Sequence, residues 1–183
     1  MSAQHTRTER RLAIDWADLE AAFDDASDML HYYLDLETGK VVAITDEIRD
    51  ELNAIHEALD EHCDDDAFAA ALQQSAHPDW MRAVLSEAHQ VEQGYGTSYI
   101  GIPKADSHEG YRAMEDFIET VADQRFQAQL AYAIQGRGAF RRFKDALFSH
   151  PDERERWFAF NAARMRERML AWLEDEGITA VVE

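Results

Sequence analysis

Two short β-prone segments joined by a tight turn are the feature of this sequence that most restricts its fold. Residues 30–36 and 41–44 are rich in leucine, tyrosine, valine and isoleucine, and residues 37–40 separate them. Gly39 within that turn can adopt the positive φ that a sharp reversal needs. The segment therefore predicts an antiparallel β-hairpin.

Helical periodicity occupies most of the remaining sequence, with prolines in first turns and a glycine after the last helix. We expect an α+β fold, a mostly helical single domain with a small antiparallel sheet of three or four strands built around the N-terminal β-hairpin. Residues 1–13 are expected to be a polar, flexible leader, and residues 14–183 the domain. Predicted helices cover residues 14–23, 46–66, 68–74, 124–135, 139–148 and 151–176 and also start at Pro78 and Ser107, with further strands at residues 99–102 and 178–182.

The chain carries a formal net charge of −19, from 37 acidic and 18 basic residues among 183. This charge disfavours association of the whole molecule with nucleic acid or anionic lipid, so any anion-binding surface must be local. The first residues contain no hydrophobic segment typical of a signal peptide, and no apolar run is long enough to cross a membrane. Cys63 is the sole cysteine, which excludes an internal disulfide. We therefore expect a cytoplasmic protein with no membrane partner.

Basic residues concentrate towards the C-terminus. Residues 137–168 contain nine basic and five acidic side chains, a local net charge of +4. One basic stripe has the spacing i, i+4, i+7 around the start of the helix over residues 139–148, and a second has the spacing i, i+4, i+8 on the last helix. Guanidinium groups beside aromatic rings are suited to the phosphates and bases of a single nucleic-acid strand. The predicted binding residues, for an anion or a partner, are Arg137, Arg141, Lys144, Phe160, Arg164 and Arg168.

The alternative interpretation of these arginines is structural. A domain with a large acidic surplus offers many carboxylates with which arginine forks can pair. Exposed, unpaired arginines favour a binding surface, whereas arginines paired with Asp and Glu favour a structural role. The aromatic residues near the stripes have the spacing of an inward-facing stripe and are predicted to lie in the core: Phe140, Phe143, Trp157 and Trp172.

The segment Gly-Arg-Gly-Ala-Phe-Arg-Arg-Phe-Lys-Asp at residues 136–145 resembles a signature of the bacterial uncharacterised protein family UPF0158. Residues 33–39 resemble the hairpin of that family, residues 115–118 its central helix, and Trp157, Phe160 and residues 171–173 its final helix. The resemblance covers most of the chain after the leader. It implies no activity, so functional hypotheses depend on the residues themselves.

Two constellations suggest metal chemistry. His56, Asp60 and Cys63 recur at i, i+4 and i+7, near His62 and Asp64, and would place three acceptable zinc ligands on one helix face. The plainer interpretation of that region is a solvated acidic surface.

The second constellation lies at the hairpin turn, where two carboxylates and an ammonium group could hold Mg²⁺ and orient a water molecule. These residues, Asp35, Glu37 and Lys40, are also ordinary residues of a hydrated turn. The sequence contains no Walker phosphate loop, nucleophile elbow or HExxH motif. We accordingly expect no catalytic residues, no metal ligands and no cofactor.

The favoured hypothesis is a non-enzymatic binding or regulatory module with a basic C-terminal patch on an acidic body, engaging a charged partner such as another protein. The alternatives are a protein that binds single-stranded RNA or DNA through the same stripes, and a metal-dependent hydrolase. The nucleic-acid alternative uses Arg137, Arg141, Lys144, Arg164 and Arg168.

Overall fold

A computed structural model describes residues 10–59 and 64–181. Helices dominate these residues, as the sequence predicts, and five short strands accompany them. The elements in chain order are β1 (Arg10–Ala13), α1 (Trp16–Asp24), β2 (Leu30–Asp35), β3 (Val41–Thr45), α2 (Asp46–Ala58), α3 (Asp65–Gln74), α4 (Asp79–Gln93), β4 (Tyr99–Gly101), α5 (Ser107–Glu119), α6 (Gln124–Ala133), α7 (Ala139–Phe148), α8 (Pro151–Asp175) and β5 (Ile178–Val181).

The predicted hairpin is confirmed as β2 and β3, which pair antiparallel, and β4 joins the other edge of β2 to give the order β3-β2-β4. The Asp35 carboxylate closes the turn by accepting hydrogen bonds from the N–H groups of Glu37 and Thr38 at 2.8 and 3.1 Å. Gly39 has φ +75° and lies so close to the backbone of Ala13 that an added Cβ would sit 2.2 Å from its carbonyl oxygen. Only glycine fits this position without a backbone shift.

A separate parallel pair joins the two ends of the described chain. β1 pairs with β5, with Arg10 opposite Ile178 and Ala13 opposite Val181. The α+β fold with a small antiparallel sheet is therefore confirmed, with this pair in addition. Residues 10–13, which the sequence assigns to a flexible leader, form β1, because β5 supplies its hydrogen-bond partners and Leu12 is buried.

The described residues form two compact units. The first unit includes residues 10–22, 27–59, 64–103 and 178–181; the second includes Lys104–Gly177 and Phe23–Ala26. The single-domain assignment of residues 14–183 stays a prediction.

In the first unit, β3 packs on α2, α3 and α4. Trp80 on α4 is 65% exposed, whereas Met81, four residues before Leu85, packs against this core. The predicted helix over residues 46–66 is interrupted: α2 ends at Ala58, and Asp64 caps a new helix by accepting from the N–H of Ala67. The buried core residues are Val42, Ile44, Ile48, Leu52, Phe68, Leu72, Leu85, Ala88 and Val91.

In the second unit, α5, α6, α7 and α8 surround an aromatic core. The Phe143 ring meets the Trp157 ring at 4.8 Å between centroids, and Phe117 contacts both. The core prediction is confirmed for Phe143 and Trp157. Trp172 is half-buried with its edge against Phe23 at 5.5 Å, whereas Phe140 is 44% exposed, so its assignment to the core is wrong.

Candidate functional site

The turn between α6 and α7 is built by two glycines and one arginine. Gly136 and Gly138 have φ values of +72° and +83°, which end α6 and redirect the chain. The Arg142 guanidinium group spans this turn, donating hydrogen bonds to the carbonyl oxygens of Ala133 at 2.9 Å and Gln135 at 2.5 Å, and also to that of Arg137. A guanidinium group has five N–H donors in a rigid planar arrangement, so it can bind several carbonyl oxygens of one turn at once. Arg142 thereby fixes the turn that leads into α7.

The inner face of α7 is buried and the outer face is cationic. Ala139, Phe143 and Leu147 lie in the core of the second unit. On the outer side, Arg141 is 89% exposed, and among the described residues it has only a long contact of 3.8 Å with Asp145. Lys144 is exposed on the same side, one turn further along the helix.

Two aromatic rings accompany these cations. Phe148 is 75% exposed and lies four residues after Lys144 and seven after Arg141, which places it on the same face. The partly exposed Phe140 precedes Lys144 by four residues, and its ring lies over α5, where a Cβ added at Gly110 would come within 3.0 Å of it. We call this set, with the exposed Arg137 that precedes the helix, the α7 surface: Arg137, Phe140, Arg141, Lys144 and Phe148.

Sequence reasoning missed both aromatic members of the α7 surface. It placed Phe140 with Phe143 because their three-residue spacing fits one helix face, but Gly110 leaves room for the Phe140 ring at the margin of the core. A signal for the site was nevertheless present in the sequence. Residues 124–144 contain no acidic residue in a chain that carries 37 of them, and their basic residues are Arg125, Arg137, Arg141, Arg142 and Lys144.

The second predicted stripe is not part of this site. Arg164 forms an ion pair with Asp116, and its guanidinium group lies 5.7 Å from the centre of the Phe160 ring. Arg168 pairs with Glu109 at 2.9 Å and donates to the carbonyl oxygen of Lys104, also at 2.9 Å. The structural interpretation therefore accounts for these two arginines, which line a cleft of about 270 Å³ together with acidic side chains.

Phe160 is also accounted for by packing. Its half-buried ring lies 5.6 Å from that of Phe117 and stacks at 6.2 Å on Trp157. Its inward face is therefore occupied by the core of the second unit. The structure thus brings together Arg141 and Lys144, with Arg137 at the preceding turn, and assigns Phe160, Arg164 and Arg168 to contacts within the protein.

The residues of the zinc hypothesis have other surroundings where the structure describes them. Of the zinc hypothesis, Asp60, His62 and Cys63 lie outside the described residues. His56 Nε2 instead lies 3.0 Å from Nδ1 of the buried His89, whose Nε2 lies 3.2 Å from Asp65. Within residues 10–59 and 64–181, no three His, Cys, Asp or Glu side chains are grouped so that they could hold a metal ion.

These features define a class of protein: a helix-rich α+β protein with a basic, aromatic helix surface. The chain belongs to the family described as Uncharacterised protein family (UPF0158), whose model matches residues 87–183, including all of α5 to α8. The resemblance of the Gly136–Asp145 segment to that family is therefore confirmed.

Bacterial relatives of the same family match most of the chain. A UPF0158 protein of Pseudomonas aeruginosa is 29% identical over 170 residues, which cover 92% of this chain and 86% of the relative. A UPF0158 protein of Chlamydia trachomatis is 24% identical over 164 residues, which cover 88% of this chain and 40% of the relative. No solved structure matches the chain significantly. Among the described helices, none has both the length and the apolar composition needed to cross a membrane.

Proposed function

We propose that this protein is a non-enzymatic, cytoplasmic binding module whose α7 surface engages single-stranded RNA or DNA. The observation that carries the proposal is the combination of exposed cations and exposed aromatic rings on one helix. Phe140 and Phe148 flank Arg141 and Lys144 along α7, and none of these four side chains is fully buried. Cations contact phosphates, and rings stack on bases that are free of a duplex.

The negative charge of the chain is unevenly divided between the two units. The second unit holds twelve of the 18 basic residues and sixteen of the 37 acidic residues, so its net charge is −4. The remainder of the chain carries −15. Most of the negative charge therefore belongs to the unit that does not contain α7, and screening at physiological salt limits the range of charge repulsion to roughly 8 Å.

The aromatic rings favour nucleic acid over an acidic protein as the partner. The cations alone would be sufficient to bind an acidic protein. Phe148 is 75% exposed, and its hydration is unfavourable unless a flat or apolar group covers the ring. A nucleobase covers such a ring without needing a matched pocket. A hydrolase at the hairpin has weaker support, because Asp35 already closes the turn through two backbone N–H groups.

Fluorescence anisotropy with labelled twelve-nucleotide oligo(U) and oligo(dT) tests the proposal. With three cations on phosphates, the logarithm of the binding constant should fall with the logarithm of salt concentration at a slope of about −2. The triple variant Arg137→Gln, Arg141→Gln, Lys144→Gln should bind at least roughly tenfold more weakly, with a slope near zero. Phe148→Ala should weaken binding roughly tenfold without changing the slope.

A matched variant removes three exposed cations elsewhere, Arg11→Gln, Lys40→Gln and Arg112→Gln, and should keep most of the affinity. An absence of binding to either oligonucleotide at 50 mM salt would exclude nucleic acid as the partner. Equal loss in the two triple variants would show a general charge effect and remove the α7 surface from the proposal. If polyglutamate competes as well as oligo(U), and Phe148→Ala has no effect, the partner is an acidic protein.

A further inference from the structure

A groove of about 720 Å³ lies in the first unit, with α4 as its floor and α3 and the hairpin turn as its walls. It follows α4 from Arg82 to Gln93, a length of roughly 16 Å at the rise of an α-helix. An extended chain advances about 3.3 Å per residue, so the groove is long enough for about five residues. Its dimensions suit a peptide segment.

The walls combine apolar and amide side chains. The buried rings and methyl groups of Phe68 and Leu72 form an apolar strip contributed by α3. Exposed glutamines at positions 73, 90 and 93 lie along the rim. A primary amide both donates and accepts, so these side chains can meet the N–H and C=O groups of a bound backbone. A polyamine offers hydrogen-bond donors only, so it could bind the side-chain carbonyl oxygens of these glutamines but not their N–H groups.

One end of the groove attracts a cation. Asp35 on β2 is directly opposite Tyr99 on β4, so both side chains are on the same face of the sheet, and Glu37 lies beside them. Burial alone would raise the pKa of Asp35, but hydrogen bonds from Glu37 and Thr38 and the charge on Lys40 bring it below its ordinary value of 3.8. Burial and the charges of Asp35, Glu87 and Glu37 raise the pKa of Tyr99. A ring beside two carboxylates is a favourable site for an ammonium or guanidinium group.

Asp35 and Glu37 outnumber the ammonium group of Lys40, which acts on Asp35 from outside the lining, so this end of the groove stays negative. Arg82, at the far end, is neutralised by an ion pair with Asp79 and also donates to the carbonyl oxygen of Gln73 at 3.3 Å. Asp65 is 89% exposed and accepts from the buried His89 ring, which stacks on Phe68 at 3.9 Å. The lining thus carries three carboxylates against one paired guanidinium group.

We propose that this groove binds an extended segment of a partner protein that carries a lysine or arginine, with its cationic group between the Tyr99 ring and the carboxylates of Asp35 and Glu37. The backbone of the segment lies along the glutamine rim, and an apolar neighbour of the basic residue contacts Phe68 and Leu72. This site is independent of the α7 surface and of the nucleic-acid proposal.

The test uses the full chain and labelled pentapeptides of two compositions, Gln-Leu-Lys-Leu-Gln and Gln-Leu-Glu-Leu-Gln, followed by ¹H–¹⁵N chemical shifts and anisotropy. The lysine peptide should shift the amides of Gln90, Gln93, Gly94 and Ser98, and the glutamate peptide should not. Glu37→Gln should weaken binding about tenfold because one carboxylate partner is lost. Glu47→Gln, an equal change of charge at an exposed residue outside the groove, should not.

A second variant blocks the groove without changing its charge. Ser86→Phe places a ring in the middle of the floor and should abolish peptide binding while the thermal midpoint of unfolding stays within a few degrees. Saturable binding that survives both Glu37→Gln and Ser86→Phe would overturn the proposal, as would the absence of shifts at millimolar lysine peptide. Equal affinity for spermidine, with the same shifts, would assign the groove to a polyamine and overturn the peptide.

Discussion

The Arg142 side chain reaches back across the Gly-Arg-Gly turn and donates a hydrogen bond of 2.9 Å to the carbonyl oxygen of Ala133, the last residue of α6. Its neighbour Arg141 projects into solvent. Two adjacent arginines therefore have opposite roles, one holding the turn and the other forming part of the α7 surface. Substitutions at position 142 should therefore affect stability, and substitutions at position 141 should affect binding.

Replacing Arg142 by lysine should destabilise the protein, because an ammonium group lacks the planar fork that reaches several carbonyl oxygens at once. We expect a loss of about 1–2 kcal/mol in the free energy of unfolding. Arg141→Lys should change it by less than about 0.5 kcal/mol. Urea unfolding at neutral pH measures both variants, and equal effects at the two positions would contradict the assigned roles.

Alanine substitution of two left-handed glycines should have unequal consequences. Gly136 and Gly39 share a φ near +70°, but an added Cβ has no neighbour within 4 Å at Gly136 and meets the Ala13 carbonyl oxygen at Gly39. Gly136→Ala should lower the free energy of unfolding by roughly 1 kcal/mol, because alanine is strained in the left-handed conformation. Gly39→Ala should cost roughly 3 kcal/mol or more, because the backbone of β1 must also shift. Thermal or urea unfolding of both variants provides the comparison.

Local signals explain why parts of the fold were predictable from the sequence. The hairpin was located correctly because Gly39 identifies the turn between its strands. The start of α7 was located correctly because two glycines precede it within residues 136–138. The pairing of β1 with β5 could not be predicted, because four-residue strands at opposite ends of the chain carry no local mark of their partner. Pairing of this kind is decided by tertiary packing.

The same limit applies to the candidate site. The amphipathic pattern of α7 was sufficient to place Arg141 and Lys144 on the outside. On α8, the same residue types at similar spacing contact Asp116 and Glu109, which belong to α5 and lie 48 and 59 residues earlier in the chain. Helix periodicity identifies a face but does not reveal which neighbouring helix covers it.

Arg168 should contribute more to stability than Arg164. The Arg164–Asp116 pair is about half exposed, and such pairs contribute roughly 0.5 kcal/mol. Arg168 is 25% exposed, also bonds the Lys104 carbonyl oxygen and lies over the Phe23 ring at 5.2 Å. Arg168→Ala should therefore cost about 2 kcal/mol. Double-mutant cycles with Asp116→Ala and Glu109→Ala isolate the two pair energies, and a larger coupling for Arg164 would contradict this ranking.

Asp35 should make the hairpin less stable in acid. Burial opposes ionisation of this carboxyl group, but the N–H groups of Glu37 and Thr38 and the charge on Lys40 outweigh it, so its pKa in the folded protein lies below 3.8. A group with a lowered pKa stabilises the folded state fully above its unfolded pKa, and this contribution disappears as pH falls through the folded value.

Asparagine at position 35 would keep the hydrogen-bond acceptor without the charge. The difference in unfolding free energy between the wild-type protein and Asp35→Asn should thus be constant from neutral pH to about pH 5 and shrink below pH 3.8. Urea titrations across that range measure the difference, and a value that stays constant or grows in acid would show that the turn does not favour the ionised carboxylate.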